Sequence, residues 1–499
     1  MEINDLFDFE LNEAEGYWIV TDYYGRGEEL VFPASFEGKP VKAIGCGFSP
    51  YKKKIKRLTV PEGYTSIGES AFEACTGITE IKLPESLTSI GESAFHGCTG
   101  LTGIKLPESL TSIGESAFRG CTGLTSVIFP ESLTSIGHGA FIGCTALKDI
   151  KFPKGLTSIG EWAFLDCTGL SSITFPEGLT SIEEHAFAGC AGLTEVKFPK
   201  GLVSIGENAF DECTGLSSIT FSEELTSIGE WAFYKCTGLK DIKLPKGLTS
   251  IWFWTFNCCT GLTSIKLMEN IKTIANDAFE DCTELTDINV DENNHVFRSV
   301  DGVIFDKAMT TLLCFPEGKK GKYSVPEGII NIKSNAFNNC KLTGISFPQS
   351  LFFINTNKFN GEQLVEITVS ELNPNFYSID GVLFNKETKE NIVLRQYPKN
   401  KDKTDYTVPD GIIGIDDSAF YRCKRLVNIV LPESLEIIRD YAFAECEGLK
   451  TITFPKNLKF IGIRAFEDCT NLETVTLSRK TRICHKAFEG FKGKFVYRD

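Results

Sequence analysis

The sequence predicts an α/β repeat solenoid, a right-handed stack of about 17 turns with one parallel β-sheet face and short β insertions. Two observations lead to this fold class. The string LTSIGESAF occurs at 87–95 and again, unchanged, at 110–118, and altered copies recur every 23 residues from Phe72 to Phe279. A 23-residue unit is too short to bury its own apolar face, so each unit has to stack on its neighbours.

Within one unit, the residue types predict the elements one after another. The Leu-x-x-Ile-x-Leu run at 101–106 predicts a short strand with alternate residues facing inward. Pro107 ends this strand because proline has no amide donor for a sheet. The chain turns inward again at Leu110 and Ile113 and then forms a compact, partly helical turn in which Phe118 plugs the core. Since every unit repeats this order, the strands run in one direction and form one parallel sheet.

The plug phenylalanines give the number of turns. Seventeen positions carry one: Phe48, Phe72, Phe95, Phe118, Phe141, Phe164, Phe187, Phe210, Phe233, Phe256, Phe279, Phe337, Phe359, Phe420, Phe443, Phe466 and Phe488. The 23-residue spacing holds from the second of these to the eleventh, and two longer intervals follow.

This pattern resembles the leucine-rich repeat superfamily, whose consensus is L-x-x-L-x-L-x-x-N/C-x-L. It departs from that consensus because Leu106 is followed by Pro-Glu-Ser-Leu, with no Asn. The departure, together with the recurring I-G-x-x-A-F-x-x-C-x-x-L, resembles the BspA-like (Treponema-type) subclass from about residue 42 to 490. The resemblance implies a leucine-rich-repeat-type solenoid. It also implies a role like that of surface proteins of host-associated bacteria and protists, which are associated with adhesion.

Breaks in the period predict the domain organisation. We expect an N-terminal β-hairpin cap at 1–41, in which 17–20 pairs with 30–32 across a Gly-Arg-Gly turn. The following segments are a solenoid of 23-residue repeats at 42–290, a β insertion at 291–325, two repeats at 326–369, a second related β insertion at 370–408, and C-terminal repeats with a closing strand at 409–499.

The two insertions are related to each other. SVDGVIF at 299–305 matches SIDGVLF at 378–384, and Asp-Gly between apolar residues is a strong hairpin signal. Each insertion therefore predicts a small β element that emerges from the solenoid. Insertions in repeat proteins often bind partners, and the alternative is that these two only space the solenoid blocks.

Fourteen of the 18 cysteines stand three residues after a plug phenylalanine and form one column: Cys75, Cys98, Cys121, Cys144, Cys167, Cys190, Cys213, Cys236, Cys259, Cys282, Cys340, Cys423, Cys446 and Cys469. We interpret the column as free thiols, since unpaired cysteine is commonly a buried hydrophobe. Disulfides between neighbouring turns are an alternative, but parallel Cβ vectors give poor bridge geometry. A metal array is less favoured, because the column lacks both C-x-x-C spacing and histidine. The other four are Cys46, Cys258, Cys314 and Cys484, of which Cys258 is the expected exposed thiol.

The sequence does not assemble a catalytic constellation. The five histidines, His96, His138, His185, His295 and His485, lie in different turns and lack Cys, Asp or Glu at metal-ligand spacing, apart from the adjacent Cys484. The glycines follow the repeat and serve its turns, with no phosphate-binding loop after a strand. We therefore expect no enzymatic activity, no cofactor, no metal and no small-molecule substrate.

Charge and hydropathy limit the classes of partner. The net charge of −15 disfavours nucleic acid, which needs clustered Lys and Arg, and is compatible with a basic protein surface. Without an apolar run of 18 residues, no membrane insertion is expected. The acidic start MEINDLFDFELNEAEG is unlike a signal peptide. A cytoplasmic location is expected if Met1 is the native start. A cell-surface or secreted location is expected, by the family resemblance, if a leader was removed.

Two columns of side chains are candidates for partner binding. On the strand face, which we expect to be concave, lysines alternate with carboxylates two residues earlier, and the lysines are Lys82, Lys105, Lys151, Lys197, Lys243 and Lys266. A solvated, charge-balanced face is the simpler interpretation, because exposed ion pairs contribute little. A mixed-charge binding surface is the functional alternative.

The back of the turns gives the sharper hypothesis. Two residues before the plug, a position that Ser fills in the first turns becomes Trp or His further along, and aromatic residues are enriched at binding hot spots. The candidate residues are Trp162, Leu165, His185, Trp231, Tyr234, Trp252, Phe253 and Trp254. The alternative is that these side chains fold over neighbouring turns and only thicken the back.

The sequence therefore predicts a non-enzymatic scaffold that binds one or more proteins, adhesive by resemblance to the family. An intracellular structural or assembly component of a larger complex is the alternative.

Overall fold

The structure is a computed structural model that describes residues 6–45, 52–354, 363–386 and 392–498. The chain forms two compact units. Unit 1 is Met1–Thr283 with Asp291–Asn294, and unit 2 is Glu284–Val290 with His295–Asp499. The predicted plugs Phe48 and Phe359, and Cys46, lie outside the described residues.

In unit 1, the first strand of each turn comes from the Leu-x-x-Ile-x-Leu run. These first strands are Glu29–Val31, Arg57–Thr59, Glu80–Lys82, Gly103–Lys105, Ser126–Ile128, Asp149–Lys151, Ser172–Thr174, Glu195–Lys197, Ser218–Thr220, Asp241–Lys243 and Ser264–Leu267. Paired neighbours are parallel and in register, so Ile104 lies opposite Val127. Both of these central residues are buried while Lys105 and Ile128 face solvent, as the alternation predicts.

A second ladder of two-residue strands follows the first in each turn. These second strands are Ser66–Ile67, Ser89–Ile90, Ser112–Ile113, Ser135–Ile136, Ser158–Ile159, Ser181–Ile182, Ser204–Ile205, Ser227–Ile228, Ser250–Ile251 and Thr273–Ile274. They pair in parallel, with Ser opposite Ser and Ile opposite Ile. The isoleucine is buried, which agrees with the inward turn that the sequence predicts at this position. The predicted parallel sheet is thus confirmed, and a second ladder accompanies it.

The back segment, which follows the second strand (114–120 in one turn), is not helical. The expected α component of the fold class is wrong for the described residues, whose helical element is the 3₁₀ helix Lys52–Lys54. Ser116 and Gly120 have left-handed φ values of 51° and 68°. Alternate amides therefore leave the turn and bond to the next one, as when Ser116 N donates to His138 O at 2.8 Å. Each back segment is thereby held in register with its neighbour.

The N-terminal cap differs from the predicted pairing. Tyr17–Tyr23 pairs antiparallel with Phe7–Asn12, a strand that the sequence analysis did not identify. The segment predicted as its partner, Glu29–Val31, pairs in parallel with Arg57–Thr59 as a first strand. The strand Lys39–Ile44 pairs antiparallel with Ser35–Phe36 and joins the cap to the second ladder through Ser66–Ile67.

Unit 2 repeats the two ladders. Its first strands are Asp287–Val290, Lys320–Ser324, Lys341–Phe347, Glu366–Val369, Asp405–Thr407, Asn428–Val430, Thr451–Thr453, Thr474–Ser478 and Lys494–Arg498. Its second strands are Thr311–Cys314, Asn331–Ile332, Phe353–Ile354, Ile392–Gln396, Ile412–Ile415, Ile437–Ile438, Phe460–Ile461 and Arg482–Ile483. The strand expected near the C-terminus, Lys494–Arg498, pairs in parallel with Thr474–Ser478.

The insertions form hairpins whose chains continue into the ladders. Their hairpin strands are Phe297–Val300 with Val303–Asp306, and Phe376–Ile379 with Val382–Lys386. After each hairpin the chain enters the second ladder and supplies its own plug, Phe315 or Tyr397, at 5.1 and 5.0 Å from the next phenylalanine ring. The two units together contain about 20 turns, because these plugs and the last strand add to the 17 counted.

Two columns fill the core of unit 1. The plug rings stack turn upon turn, with Phe141 and Phe164 at 5.2 Å between centroids and 3° between planes. The column cysteines are buried and form no disulfides. From Cys98 to Cys282, the thiol of each turn donates to the plug carbonyl of the preceding turn, as Cys167 Sγ does to Phe141 O at 3.2 Å. The column therefore consists of thiols, as interpreted from the sequence. These thiols have a structural role, because their S–H groups donate to buried backbone acceptors.

Candidate interaction surface

The aromatic residues of the back occupy a backbone position that disfavours them. Trp162, Trp231 and Trp254 have φ values of 62°, 58° and 55°, in the left-handed region. The same position holds Ser93 or Gly139 in other turns. A bulky L-residue there carries about 1–3 kcal/mol of backbone strain, which persists only where the surroundings impose the conformation. Here the inter-turn bonds of the back segment impose it, since Trp162 N donates to Glu184 O at 2.9 Å.

Four of the predicted residues form one cluster of rings, named here the tryptophan cluster: Trp231, Tyr234, Phe253 and Trp254. Trp231 and Trp254, one turn apart, stack with centroids 4.6 Å apart and 22° between planes. Tyr234 meets Trp231 edge-on at 4.8 Å. Phe253 is 44% exposed, so the cluster presents apolar surface to solvent.

A second group, the Trp162 cluster, consists of Trp162 with His138 and His185. The ring centroids lie 5.9 Å and 5.0 Å from that of Trp162. Trp162 is 38% exposed, and His185 Nδ1 lies 3.2 Å from Glu184 Oε1. His138 was not among the predicted binding residues, and its signal is its place one residue before the left-handed position. Leu165 is half-buried on the same back segment, and Trp252, at 44% exposure, flanks the tryptophan cluster.

One turn separates the two clusters, and it carries a half-buried carboxylate. Asp211 stands three residues after Asn208, at the position that Leu165 and Tyr234 fill in their turns. Burial raises the pKa of Asp211 to about 6, and the neighbouring Glu212 adds to the rise. Among the described residues, its Oδ1 atom has no hydrogen-bond partner. The gap between the clusters is therefore polar and acidic.

The side chain of Lys235 places one cation on this surface. Lys235 Nζ lies 4.9 Å from the centroid of the Tyr234 ring and 2.7 Å from Glu212 Oε1. The ammonium thus bridges an aromatic face and a carboxylate, a geometry in which both contacts favour the charged form. The pKa of Lys235 is raised, and the contact with Glu212 is the main cause.

The lysines of the strand face are exposed, and three have ion-pair partners in unit 1. Lys197 pairs with Glu195 of its own strand at 3.1 Å, which is the side-by-side arrangement that the sequence predicts. Lys105 instead approaches Glu85 at 3.9 Å, and Lys266 approaches Asp291 at 3.4 Å. Lys82, Lys151 and Lys243 are exposed in the same column. Pairs at such exposed positions contribute at most about 1 kcal/mol each.

Unit 2 exposes an apolar group that the sequence analysis missed. Ile330, Phe352 and Phe353 are exposed on adjacent turns of the second ladder. The signal was present, because Phe352 and Phe353 replace the Thr-Ser of LTSIG.

The described residues contain no group of three or more His, Cys, Asp or Glu side chains that could hold a metal ion. They also contain no helix long and apolar enough to cross a membrane. One open depression of about 550 Å³ in unit 2 is lined by charged residues, among which Arg425 and Asp402 pair with each other at 3.5 Å.

Solved structures of bacterial repeat proteins resemble the chain. A leucine-rich repeat protein from Bacteroides ovatus is 22% identical, with 99% of each chain covered and a TM-score of 0.46. One from Eubacterium ventriosum is also 22% identical, covering 61% of this chain and 84% of its own, with a TM-score of 0.46. The leucine-rich repeat protein of T. pallidum is 27% identical over 47% of this chain and 88% of its own, with a TM-score of 0.32. A comparison with curated proteins gave no match.

The family model gives the assignment. The model described as "BspA type Leucine rich repeat region (6 copies)" matches residues 47–171, 88–215, 180–301, 314–397 and 395–496. These matches cover most of both units and coincide with the stacked turns. The chain therefore belongs to the BspA-type leucine-rich repeat family.

Proposed function

We propose that this protein is a non-enzymatic scaffold that binds other proteins, and that the back of turns 160–258 is its docking surface. The observation that supports the proposal most strongly is the placement of Trp162, Trp231 and Trp254 in left-handed backbone positions. Glycine fills this position at lower conformational cost in another turn, and serine, which carries a similar cost, fills it elsewhere without presenting a ring. The fold therefore does not require a tryptophan there, and partner contact is the best-attested use of partly exposed tryptophans.

The experiment compares docking-surface and control variants. Proteins captured by the wild-type chain from its source cells would be identified and purified, and the affinity of each would be measured by calorimetry. The double variant Trp231→Ser/Trp254→Ser should weaken binding by about thirtyfold or more, because even one hot-spot aromatic contributes about 2 kcal/mol or more. Serine is the residue of the repeat at this position, so the variant is expected to fold.

Tyr441→Ser is the matched control. Tyr441 lies in unit 2 at the same left-handed position, with φ 56°, and is exposed. Its replacement should leave the affinity unchanged. A partner that binds both variants as tightly as the wild type docks elsewhere, and the strand-face lysines then become the surface to test through Lys151→Gln and Lys197→Gln.

Adhesion at a cell surface is the finer form of the proposal and is supported by membership of the family. An intracellular assembly component is the second candidate, and the free thiol column is compatible with it. The column does not require a reducing compartment, because burial protects these thiols from oxidants. Antibody labelling of intact and permeabilised source cells separates the two. Labelling of intact cells supports adhesion, and labelling only after permeabilisation supports the assembly component.

A further inference from the structure

We propose that the back of turns 160–258 recognises a basic polypeptide segment, in which Arg or Lys side chains bind between the aromatic rings and the carboxylates. This inference rests on the proposed function, since it names the chemistry of the partner for that docking surface. Three separate features of the surface favour a cation: its charge, a built-in example of the contact, and a carboxylate with one oxygen that has no hydrogen-bond partner among the described residues.

The charge of the surface is strongly one-sided. The five back segments are 160–166, 183–189, 206–212, 229–235 and 252–258, and together they carry eight carboxylates and one lysine. Glu184, Glu207 and Glu230 form a column, each with its carbonyl accepting the amide of the turn before. Neighbouring strands of a sheet are about 4.8 Å apart, so a column of this kind offers closely spaced anionic positions. The equivalent segments of unit 2 mix both signs, with Arg422, Arg439 and Arg464 among their carboxylates.

Lys235 makes the same kind of contact that we expect a cationic ligand to make. Its ammonium lies against the Tyr234 ring at 4.9 Å and against Glu212 at 2.7 Å. Trp231 and Trp254 present larger aromatic faces one and two turns from Glu207, and Trp is the best cation–π acceptor among side chains. An arginine from a partner would stack on these rings while its fork of N–H donors reaches the glutamate column.

Asp211 adds an acceptor that the chain itself does not satisfy. Its half-buried carboxylate lies between the tryptophan cluster and the Trp162 cluster, and its Oδ1 has no partner among the described residues. An unsatisfied buried acceptor is destabilising unless a donor reaches it. A guanidinium or ammonium in this gap would lie beside the Asp211 carboxylate and would link the two clusters through one extended basic segment.

The experiment uses the full chain and its own fluorescence, because four of its five tryptophans lie on this surface. The probe is a blocked peptide of alternating Arg and Gly, about 12 residues long, with Gln-Gly and Glu-Gly peptides of equal length for comparison. The Arg-Gly peptide should titrate the fluorescence to saturation, and its Kd should rise about tenfold when salt is raised from about 0.05 M to about 0.5 M. The other two peptides should not saturate it.

Two matched pairs of variants assign the binding to the site. Glu207→Gln/Glu230→Gln should weaken Arg-Gly binding about tenfold, whereas Glu69→Gln/Glu92→Gln should change it less than about twofold. Both pairs remove two charges from the same column, but the second lies in turns whose left-handed residue is serine. Trp231→Ser/Trp254→Ser should weaken binding about tenfold, and Tyr441→Ser should not.

Three results would overturn the inference. Equal losses for the two glutamate pairs would mean that the net charge of the chain attracts the peptide without a site. Saturable binding of the Gln-Gly or Glu-Gly peptide at the tryptophans would keep the docking surface and remove its preference for cations. Absence of Arg-Gly binding would remove the basic partner, while the calorimetry with captured proteins would still decide whether the surface docks proteins at all.

Discussion

Trp162 differs in type from the residues at the same position of the preceding turns. The two preceding turns carry Ser116 and Gly139 at this position, of which only the glycine adopts the left-handed conformation at little cost. The plug two residues later, Phe164, has an opposite character, because it is completely buried and stacks on both neighbouring plugs. The same turn therefore contains one aromatic that the fold needs and one that the fold only tolerates.

This contrast gives a stability prediction. Phe164→Ala should lower the free energy of unfolding by about 3–5 kcal/mol, because it opens a cavity in the plug column. Trp162→Ser should change it by about 1 kcal/mol or less, since the ring is partly exposed and serine fills the same left-handed position in other turns. Chemical denaturation followed by circular dichroism measures both. A Trp162→Ser loss as large as that of Phe164→Ala would show that the tryptophan is structural.

Asp211 gives a prediction that depends on pH. Its pKa of about 6 in the folded chain lies above the ordinary 3.8, so ionisation opposes folding. The contribution of this group to stability is complete below the unfolded pKa and is lost as the pH rises through 6. Asp211→Asn should therefore raise the free energy of unfolding at pH 8 by about 1 kcal/mol, after a discount for solvent screening, and by much less near pH 3.5.

Urea denaturation at the two pH values tests this effect. Glu92→Gln, which neutralises an exposed carboxylate, is the control and should change stability little at either pH. If Asp211→Asn is no more stable than the wild type at pH 8, the carboxylate is better solvated than its half-buried position indicates.

At the scale of the element, the thiol column behaves as one buried structure. Burial raises the pKa of Cys167 to about 12, and that of Cys423 to about 12. Few thiolates exist in this column at pH 8, and the thiolate is the reactive form. In the native chain, iodoacetamide should label the half-buried Cys258 and Cys484 before any column cysteine, and unfolding should expose the whole column.

Alkylation mapped by mass spectrometry checks the order of labelling. Cys258 and Cys259 form a matched pair within one turn, because they are adjacent in sequence and differ in burial. Native labelling of Cys259 as fast as that of Cys258 would mean that the column opens to solvent without global unfolding.

The sequence predicts those elements whose burial repeats with the period, and it does not predict those that depend on backbone conformation. The plug at Phe118 and the strand at 101–106 were predictable, because burial repeats with the period and a register error would expose every core side chain. The non-helical back segment was not, since short-range bonds such as Arg119 N to Ser116 O mimic a helical turn. The left-handed φ values of Ser116 and Gly120 send alternate amides to the next turn, and the sequence does not specify that of Ser116.

Parts of the cap and of the aromatic clusters were also not predicted from the sequence. Phe7–Asn12 alternates apolar and acidic residues, which is the period of a strand, but this segment was interpreted only as an acidic start. The predicted aromatic column contained Trp231 and Trp254, and the structure stacks them one turn apart. Asp211 could not be predicted as a half-buried carboxylate, because burial on the back depends on the neighbouring turns rather than on its own repeat.

At the scale of the whole molecule, the chain is a repeat protein of two units in which each turn contacts its neighbours. Such an architecture tolerates variation on its surface as long as the plug and thiol columns persist. The net charge of −15 and the acidic back of unit 1 are compatible with the proposed basic partner. The proposed scaffold role follows from this division between a uniform core and a variable back.

The most direct test of the proposed docking surface is hydroxyl-radical footprinting of the five tryptophans, with and without a purified partner. Trp162, Trp231, Trp252 and Trp254 lie on the proposed surface, and Trp18 in the cap is an internal control. Partner binding should slow oxidation of the four by about threefold or more, because contact removes their rings from solvent, and should leave Trp18 unchanged. Unchanged oxidation of all four while the partner is bound would contradict the account.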